Sequence, residues 1–460
     1  MTDTDARADE REERVPPVLT NRGFLLLWLA QIISQSAQNA ILYALIIVVL
    51  DQTESTTSTS GVLLAYVVPI VIFGVFSGVL VDRWSKRRLL ILTNVGRAVT
   101  AIAFFFALDH VVALYAITVV FASLSQLFTT SNAASIPFMV SRKQLISANT
   151  LFSGGFTLAQ ITGLIILSPL ILRTAGPEAL FASAAVAFAL SSVLTRFLPP
   201  IGRDGEEELE GTFPGREEFR GAISEFAVAL RTLRADSVST LAMAHIATSS
   251  TVVLLFAILV PRYMQAILEL QPEDAVAVFA PVAIGALIGL RAVPWIVARL
   301  GKTTTVALGL FAISLCLAVF GMVETIAAGL ERTEQFNPFG ETERVFGQSI
   351  LVAITVGFAG PMGFGYALLN TPAQTILHER TPVEMRGRVF ASQMVLANGV
   401  ALTPLMVAGG IADVYGVSRV VLALSLLLAM GAAFSIYLER RWQQDEGRSP
   451  PQPPAAKATT

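Results

Sequence analysis

The stretch Gly78-Val79-Leu80-Val81-Asp82-Arg83-Trp84-Ser85-Lys86-Arg87-Arg88 packs five charged side chains into seven residues. It closes one long apolar run, residues 60–81, and opens the next, 88–108. About 20 mostly apolar residues suffice for a helix to cross a bilayer. Two such runs joined by a basic loop read as two membrane spans turning at a lipid surface, and the rest of the chain repeats the pattern.

Twelve candidate spans follow from this reading: 24–50, 60–81, 88–108, 111–133, 148–172, 178–198, 239–264, 275–298, 303–323, 347–377, 389–411 and 417–438. The third and fourth are separated only by Asp109-His110, the softest division. Composition agrees. Of 460 residues, 54% are apolar and 14% charged, with a mean hydropathy of +0.65. Soluble domains carry about 25% charged residues. A soluble enzyme, a disordered protein and a fibrous repeat are excluded. Cys316 is the only cysteine, so no intrachain disulfide or cysteine-based metal cluster forms. No metal-binding set and no cofactor motif is found, and the net charge of −2 gives no reason to expect nucleic acid.

The positive-inside rule sets direction. With the N-terminus in the cytoplasm, 25 of the 32 Lys and Arg fall in cytoplasmic segments. Five fall outside (Arg173, Arg262, Arg332, Arg344 and Arg419), and Arg97 and Arg291 lie within spans. Both termini are therefore expected in the cytoplasm. The organisation expected is a tail (1–23), six spans (24–198), a cytoplasmic linker (199–238), six further spans (239–438) and a disordered tail (439–460). Within the linker, Phe219, Ile223, Phe226, Leu230 and Leu233 form one apolar helix face, which reads as an amphipathic helix on the membrane surface. The stretch Glu324 to Phe346 is the long outer loop.

A counterpart of the first loop follows span eight: Pro294-Trp295-Ile296-Val297-Ala298-Arg299-Leu300-Gly301-Lys302 aligns with Gly78 to Lys86. Gly301 stands where Ser85 does, and Ala298 replaces Asp82. With Gly78, Leu80, Asp82, Arg83, Lys86 and Arg87 in register, the first loop resembles the cytoplasmic signature of the major facilitator superfamily. Arg386-Gly387-Arg388, Pro404, Gly409, Gly410, Asp413 and Gly416, with Trp28, Gln31 and Ser34, are similar to the bacterial drug and siderophore exporter branch. The resemblance runs from about Asn21 to Arg441. It implies an all-α bundle of 6+6 transmembrane helices around one central site, alternately open to each side. It also implies that Asp82 meets the start of span eleven at Gly387-Arg388, a contact favoured by helix dipole and charge and stabilising the outward-open state. A monomer in the cell membrane is the family expectation.

Polar residues inside spans are the other candidates, because lipid penalises them. Gln31, Ser34, Gln35, Gln38 and Asn39 recur on one face of span one and read as a cavity lining. Interhelical hydrogen bonding is the plainer alternative. Gln126 and Asn398 join the candidate cavity. Arg97 and Arg291 either bind an anionic group there or serve structure, by snorkelling or pairing with a neighbour such as Asn94; structure is favoured for both. No Asp or Glu lies near mid-span; Asp51, Asp109, Glu324 and Asp413 sit at outer ends. The aspartate common in this branch is here Gln38. Proton coupling therefore lacks its usual carrier, and His245 is the remaining candidate, against the plainer reading of a hydrogen-bonded core histidine. Gly74 with Gly78, and Gly285 with Gly289, permit close helix approach. Gly357, Gly360, Gly363, Gly365 and Pro361 make span ten a kink, a gate or a tight seam.

The function these readings support is secondary active transport, exporting a small drug-like or siderophore-like solute. Uptake or flipping of a lysolipid or related compound is the alternative. A sensor in the same fold, or a membrane-embedded enzyme, fits less well. An ATP-driven pump is excluded: Gly301-Lys302-Thr303 resembles the end of a phosphate loop, but Ile296 stands where its first glycine is required.

Overall fold

In a computed structural model, which describes residues 17–141, 144–199, 216–331, 350–381 and 386–446, the chain is helical with no strand among those residues. The helices are α1 (Arg22–Thr53), α2 (Thr56–Arg83), α3 (Lys86–Phe106), α4 (Val111–Met139), α5 (Leu145–Gln160) and α6 (Ser168–Arg196). They continue as α7 (Arg216–Ala235), α8 (Ser237–Ala266), α9 (Ala275–Leu300), α10 (Lys302–Gly321), α11 (Val323–Glu331), α12 (Ile350–Arg380), α13 (Arg386–Tyr415) and α14 (Val417–Glu446). Eleven helices among the described residues are long and apolar enough to cross a membrane.

The difference from twelve has a local cause. A π-helical segment, Ile161–Leu167, carries α5 without a break into α6. The chain then turns at Gly176, whose φ of 81° falls in the left-handed region that favours glycine. Residues 145–175 and 177–196 thus trace two crossings, matching two separate apolar runs. The soft division at Asp109-His110 appears as the gap between α3 and α4.

Two expectations are corrected. Glu324 to Phe346 does not begin as a loop, because Val323–Glu331 is the helix α11; the remainder lies outside the described residues. The C-terminal tail does not begin at 439, because α14 continues to Glu446. Leu438, Arg441 and Trp442 carry no helix breaker, and the first proline is Pro450.

The described chain forms two compact units. The first comprises residues 1–233, 250–277 and 383–414. Its core packs α3 and α1 against α6, and α2 against α4. Phe104 stacks on Phe181 at 5.4 Å and meets Phe121 edge-on at 5.9 Å, and Phe121 meets Phe188 at 5.8 Å. Asn21 caps α1, accepting from the amides of Gly23 and Phe24 and donating to the Met139 carbonyl at 2.6 Å. One asparagine so fixes the start of α1 against the end of α4.

The second unit comprises residues 234–249, 278–382 and 415–460. Here α10 packs on α12 and α14. The α9–α12 seam is backbone on backbone: a Cβ on Gly285 would sit 1.8 Å from the Gly360 carbonyl oxygen, and one on Gly363 would sit 1.9 Å from that of Val282. The glycines of α12 thus serve a tight seam at these positions. Large apolar side chains such as Ile284, Leu287, Phe311 and Phe434 face outward. Their exposure suits lipid rather than water.

Candidate functional site

Among the described residues Arg97 is the largest fully buried side chain, with no exposed surface. From α3, its Nη2 donates to Ser34 Oγ at 2.5 Å and Asn94 Oδ1 at 2.6 Å, and Nη1 donates to Gln38 Oε1 at 3.1 Å. The rings of Phe128 and Phe188 lie 4.0 and 4.8 Å from the guanidinium. The network spreads further. Gln38 Nε2 donates to the Tyr66 hydroxyl at 2.6 Å, Asn94 Nδ2 to Ser191 Oγ at 3.0 Å, and Ser191 Oγ to the Ala30 carbonyl. A buried charge is costly unless compensated. Here neutral oxygens and two π-faces do that work, with no carboxylate among the described partners. Arg97 is therefore an internal rivet joining α1, α2, α3, α4 and α6, not a lining residue of an open cavity in this conformation.

The polar stripe of α1 divides accordingly. Ser34 and Gln38 serve Arg97. Gln31 donates to the Phe152 carbonyl, beside Trp28 donating to that of Leu151. Asn39 turns back onto the Gln35 carbonyl, one helical turn earlier. The Oε1 atoms of Gln31 and Gln35 are buried and accept no hydrogen bond. Gln126 is buried and donates to Thr130 Oγ1 at 3.3 Å. Asn398 is half-buried and bonds its own helix at the Met394 carbonyl.

Arg291 is exposed on the face of α9 that also presents Leu287, Ile288 and Trp295. Apolar neighbours of that size mark a lipid-facing surface, and a snorkelling arginine suits it. One turn on from Trp295, Arg299 lies over its indole at 4.0 Å. His245 is buried in the second unit, its Nε2 2.8 Å from Ser435 Oγ. The Ser435 hydroxyl donates to the Gly431 carbonyl, which assigns the hydrogen of this contact to His245 Nε2.

At the end of α2, Gly78 and Leu80 lie in its last turns and Asp82 is exposed. Arg83, half-buried, is engaged with a partner. Lys86 lies over the Phe138 ring at 5.1 Å, and Arg87 donates to the Arg196 carbonyl. These two basic residues thus tie the loop to α4 and α6. Gly387 and Arg388 belong to the first turn of α13, but the contact expected between Asp82 and these residues lies outside the described side chains.

The other end of α2 holds what the sequence did not reveal. Asp413, near the C-terminus of α13, accepts four hydrogen bonds there. The Thr56 amide donates to Oδ1 at 2.7 Å. The Thr57 amide (2.9 Å), Thr57 Oγ1 (2.6 Å) and Ser55 Oγ (2.7 Å) donate to Oδ2. Ser55 itself caps the Ser58 amide at 3.2 Å. The run Ser55-Thr56-Thr57-Ser58 signals a helix start, but nothing in it points to a residue some 356 positions away.

The same end is closed elsewhere in this unit. Gln265 Nε2 donates to Asp51 at 3.1 Å, Tyr43 donates to the Pro272 carbonyl at 2.9 Å, and Arg173 pairs with Asp274 at 2.6 Å. Beside the Gln265–Asp51 contact lies a cavity of about 500 Å³, lined by these two residues and residues 269–273.

The fold defines a polytopic helical membrane protein whose interior polar groups join helices and whose carboxylates gather at helix ends. The chain belongs to the major facilitator superfamily, whose model matches residues 27–404. It is therefore a membrane transporter. It is 24% identical over 446 residues to the multidrug efflux pump Tap of Mycolicibacterium fortuitum, covering 94% of this chain and 99% of that one. Among solved structures it resembles a POT family transporter in complex with 5-aminolevulinic acid (TM-score 0.70, 11% identity, 92% and 96% covered). It also resembles the nucleoside transporter NupG (TM-score 0.67, 12% identity, 91% and 99% covered). At these identities the two structures speak to fold alone.

Proposed function

We propose that the protein is a secondary active efflux permease of the cell membrane, moving a small amphiphilic organic solute by alternating access between two six-helix halves, with both termini cytoplasmic. The observation that carries this reading is the end-to-end match to a multidrug efflux pump, covering nearly all of both chains. The interior supports it. Amides, hydroxyls and aromatic rings without a mid-span carboxylate suit solutes recognised by shape and hydrogen bonding rather than by fixed charge. Gln31 and Gln35, each with a free buried acceptor, are the residues we assign to solute when the cavity opens; Gln126 and Asn398 extend that surface.

Proton coupling is assigned to His245, because Gln38 cannot exchange a proton and the described spans hold no mid-span carboxylate. Purified protein in liposomes holding a pH-sensitive dye tests the reading, with lipophilic cations, anionic siderophores and lysolipids added under an imposed proton gradient. Solute movement with proton flux lost in His245→Ala supports a coupled exporter. Solute movement without proton flux rejects antiport. Movement of none of the panel rejects the drug-like substrate class.

A further inference from the structure

We infer that Asp413 is a gating latch: a helix cap delivered to α2 by another helix, which holds one end of the transporter shut and must let go for that end to open. The inference rests on the alternating-access reading above, and it assigns a residue to one step of that cycle.

The first amides of an α-helix have no partner within the helix. In α2 the Ser58 amide is met locally by Ser55, whereas the Thr56 and Thr57 amides are both met by Asp413. A carboxylate at this position is favoured by hydrogen bonding and by the helix dipole together. Most helices carry their caps in the adjoining sequence, so the bonds survive any rigid-body motion. Here two of the three capping bonds cross between helices and break when α2 and α13 separate.

Packing along the same pair of helices agrees. A Cβ on Gly409 would lie 2.2 Å from Ser60 Oγ and 3.0 Å from the Thr56 carbonyl. One on Gly399 would lie 3.8 Å from Val71, and one on Gly74 would lie 2.7 Å from Val395. At Gly78, one turn further, nothing among the described residues lies within 4 Å. The two helices are therefore in close contact at Gly409, beside Asp413, and again at Gly74. Connectivity places Asp51 and Gln265 at the same end, since α1 ends at Thr53 and α2 begins at Thr56. Asp413 joins two whole helices by four bonds, whereas Gln265–Asp51 and Tyr43–Pro272 supply one bond each.

The latch is weak enough to work. Asp413 is exposed, so water competes for both partners when they part. Ser55 stays behind to hold the third amide, which keeps α2 from fraying once the carboxylate has left.

The test uses the full chain in lipid nanodiscs, with spin labels on Glu54→Cys and Val414→Cys in a Cys316→Ala background. Both labelled positions are exposed, and neither contributes a latch bond. The parent should show mainly a short separation. Asp413→Ala should lower the ratio of short to long separations at least about fivefold, the scale of a lost helix cap. Ser55→Ala with Thr57→Val should shift it less, and so should Arg173→Ala, which removes a single exposed ion pair at that end. Gly409→Ala, which wedges the seam without touching the carboxylate, should lengthen the separation too and serves if Asp413→Ala does not fold. Coincident distributions for the parent, Asp413→Ala and Gly409→Ala would overturn the latch. A latch that responds as stated, together with no solute flux from any panel member, would instead overturn the transport reading.

Discussion

The two ends of α2 carry the same residue type in opposite circumstances. At one end Asp413 reaches in from α13 and accepts four hydrogen bonds. At the other, Asp82 is exposed and has no bonded partner among the described residues. Among the described residues the glycines differ too: a Cβ on Gly409 would lie 2.2 Å from Ser60 Oγ, and one on Gly78 would meet no described atom within 4 Å. On the latch reading, the comparison marks the Asp413 end of α2 as the one that lets go. It also separates parts that move from parts that do not. The Arg97 network binds five helices of one unit through buried polar contacts, and such a rivet resists motion within the bundle.

The comparison can be broken most severely at that rivet. Arg97→Leu should cost about 3 kcal/mol or more, because Ser34, Gln38 and Asn94 would keep buried groups without partners. Thermal unfolding in detergent should show Tm lower by roughly 5–10 °C. If Tm holds, the network is not what keeps this unit rigid. Next, Gly409→Val should abolish flux of any accepted solute while Gly78→Val preserves most of it. Equal losses would mean that the two ends of the seam are packed alike. Asp413→Ala should follow, costing about 1 kcal/mol of closed-end stability, visible as faster amide hydrogen exchange over residues 56–59. Asp82→Asn should leave that exchange unchanged and lower only transport rate.

The smallest effect concerns Asp236, which stands outside this contrast. Burial pushes its carboxyl up, but hydrogen bonds from the Ser239 hydroxyl, the Arg380 charge and the Ser239 and Val238 amides prevail and hold it below the ordinary 3.8. The depressed value contributes stability at pH above 3.8 that is lost as pH falls through the folded value. Asp236→Asn should therefore lower Tm by about 1–2 °C near neutrality, on the scale of a screened surface interaction. The difference should vanish in acid, and one that persisted there would reject the charge-based account.

Much of the fold was legible because lipid imposes a length and a polarity that any sequence must display. Twelve apolar runs, the Gly78–Arg88 loop and its relative at Pro294–Lys302 are local signals. The π-helical passage through Ile161–Leu167 was not legible, because an apolar run of this kind reads the same for an α-helix and a π-helix. Arg97 was visible as an anomaly with Asn94 as a neighbour to pair with, but its bonds to Ser34 and Gln38 of the α1 stripe and its two phenylalanines on α4 and α6 were not. Asp413 could be seen as an acid at a span end and as one residue of the exporter-like stretch, with no role attached. Its meaning depends on a packing that brings α13 to α2, and no spacing encodes that. Val323–Glu331 escaped notice because it is too short and too mixed to stand out from a loop.

The account's central claim is that the two ends of α2 alternate. The direct measurement is the labelling rate of single cysteines, Ser60→Cys at the Asp413 end and Gly78→Cys at the other end, by a membrane-impermeant maleimide reaching both faces of protein in nanodiscs, with Cys316→Ala throughout. In the parent, position 78 should react quickly and position 60 slowly. Adding Asp413→Ala should raise the rate at 60 and lower it at 78. A rise at both positions, or a change at neither, would contradict the account.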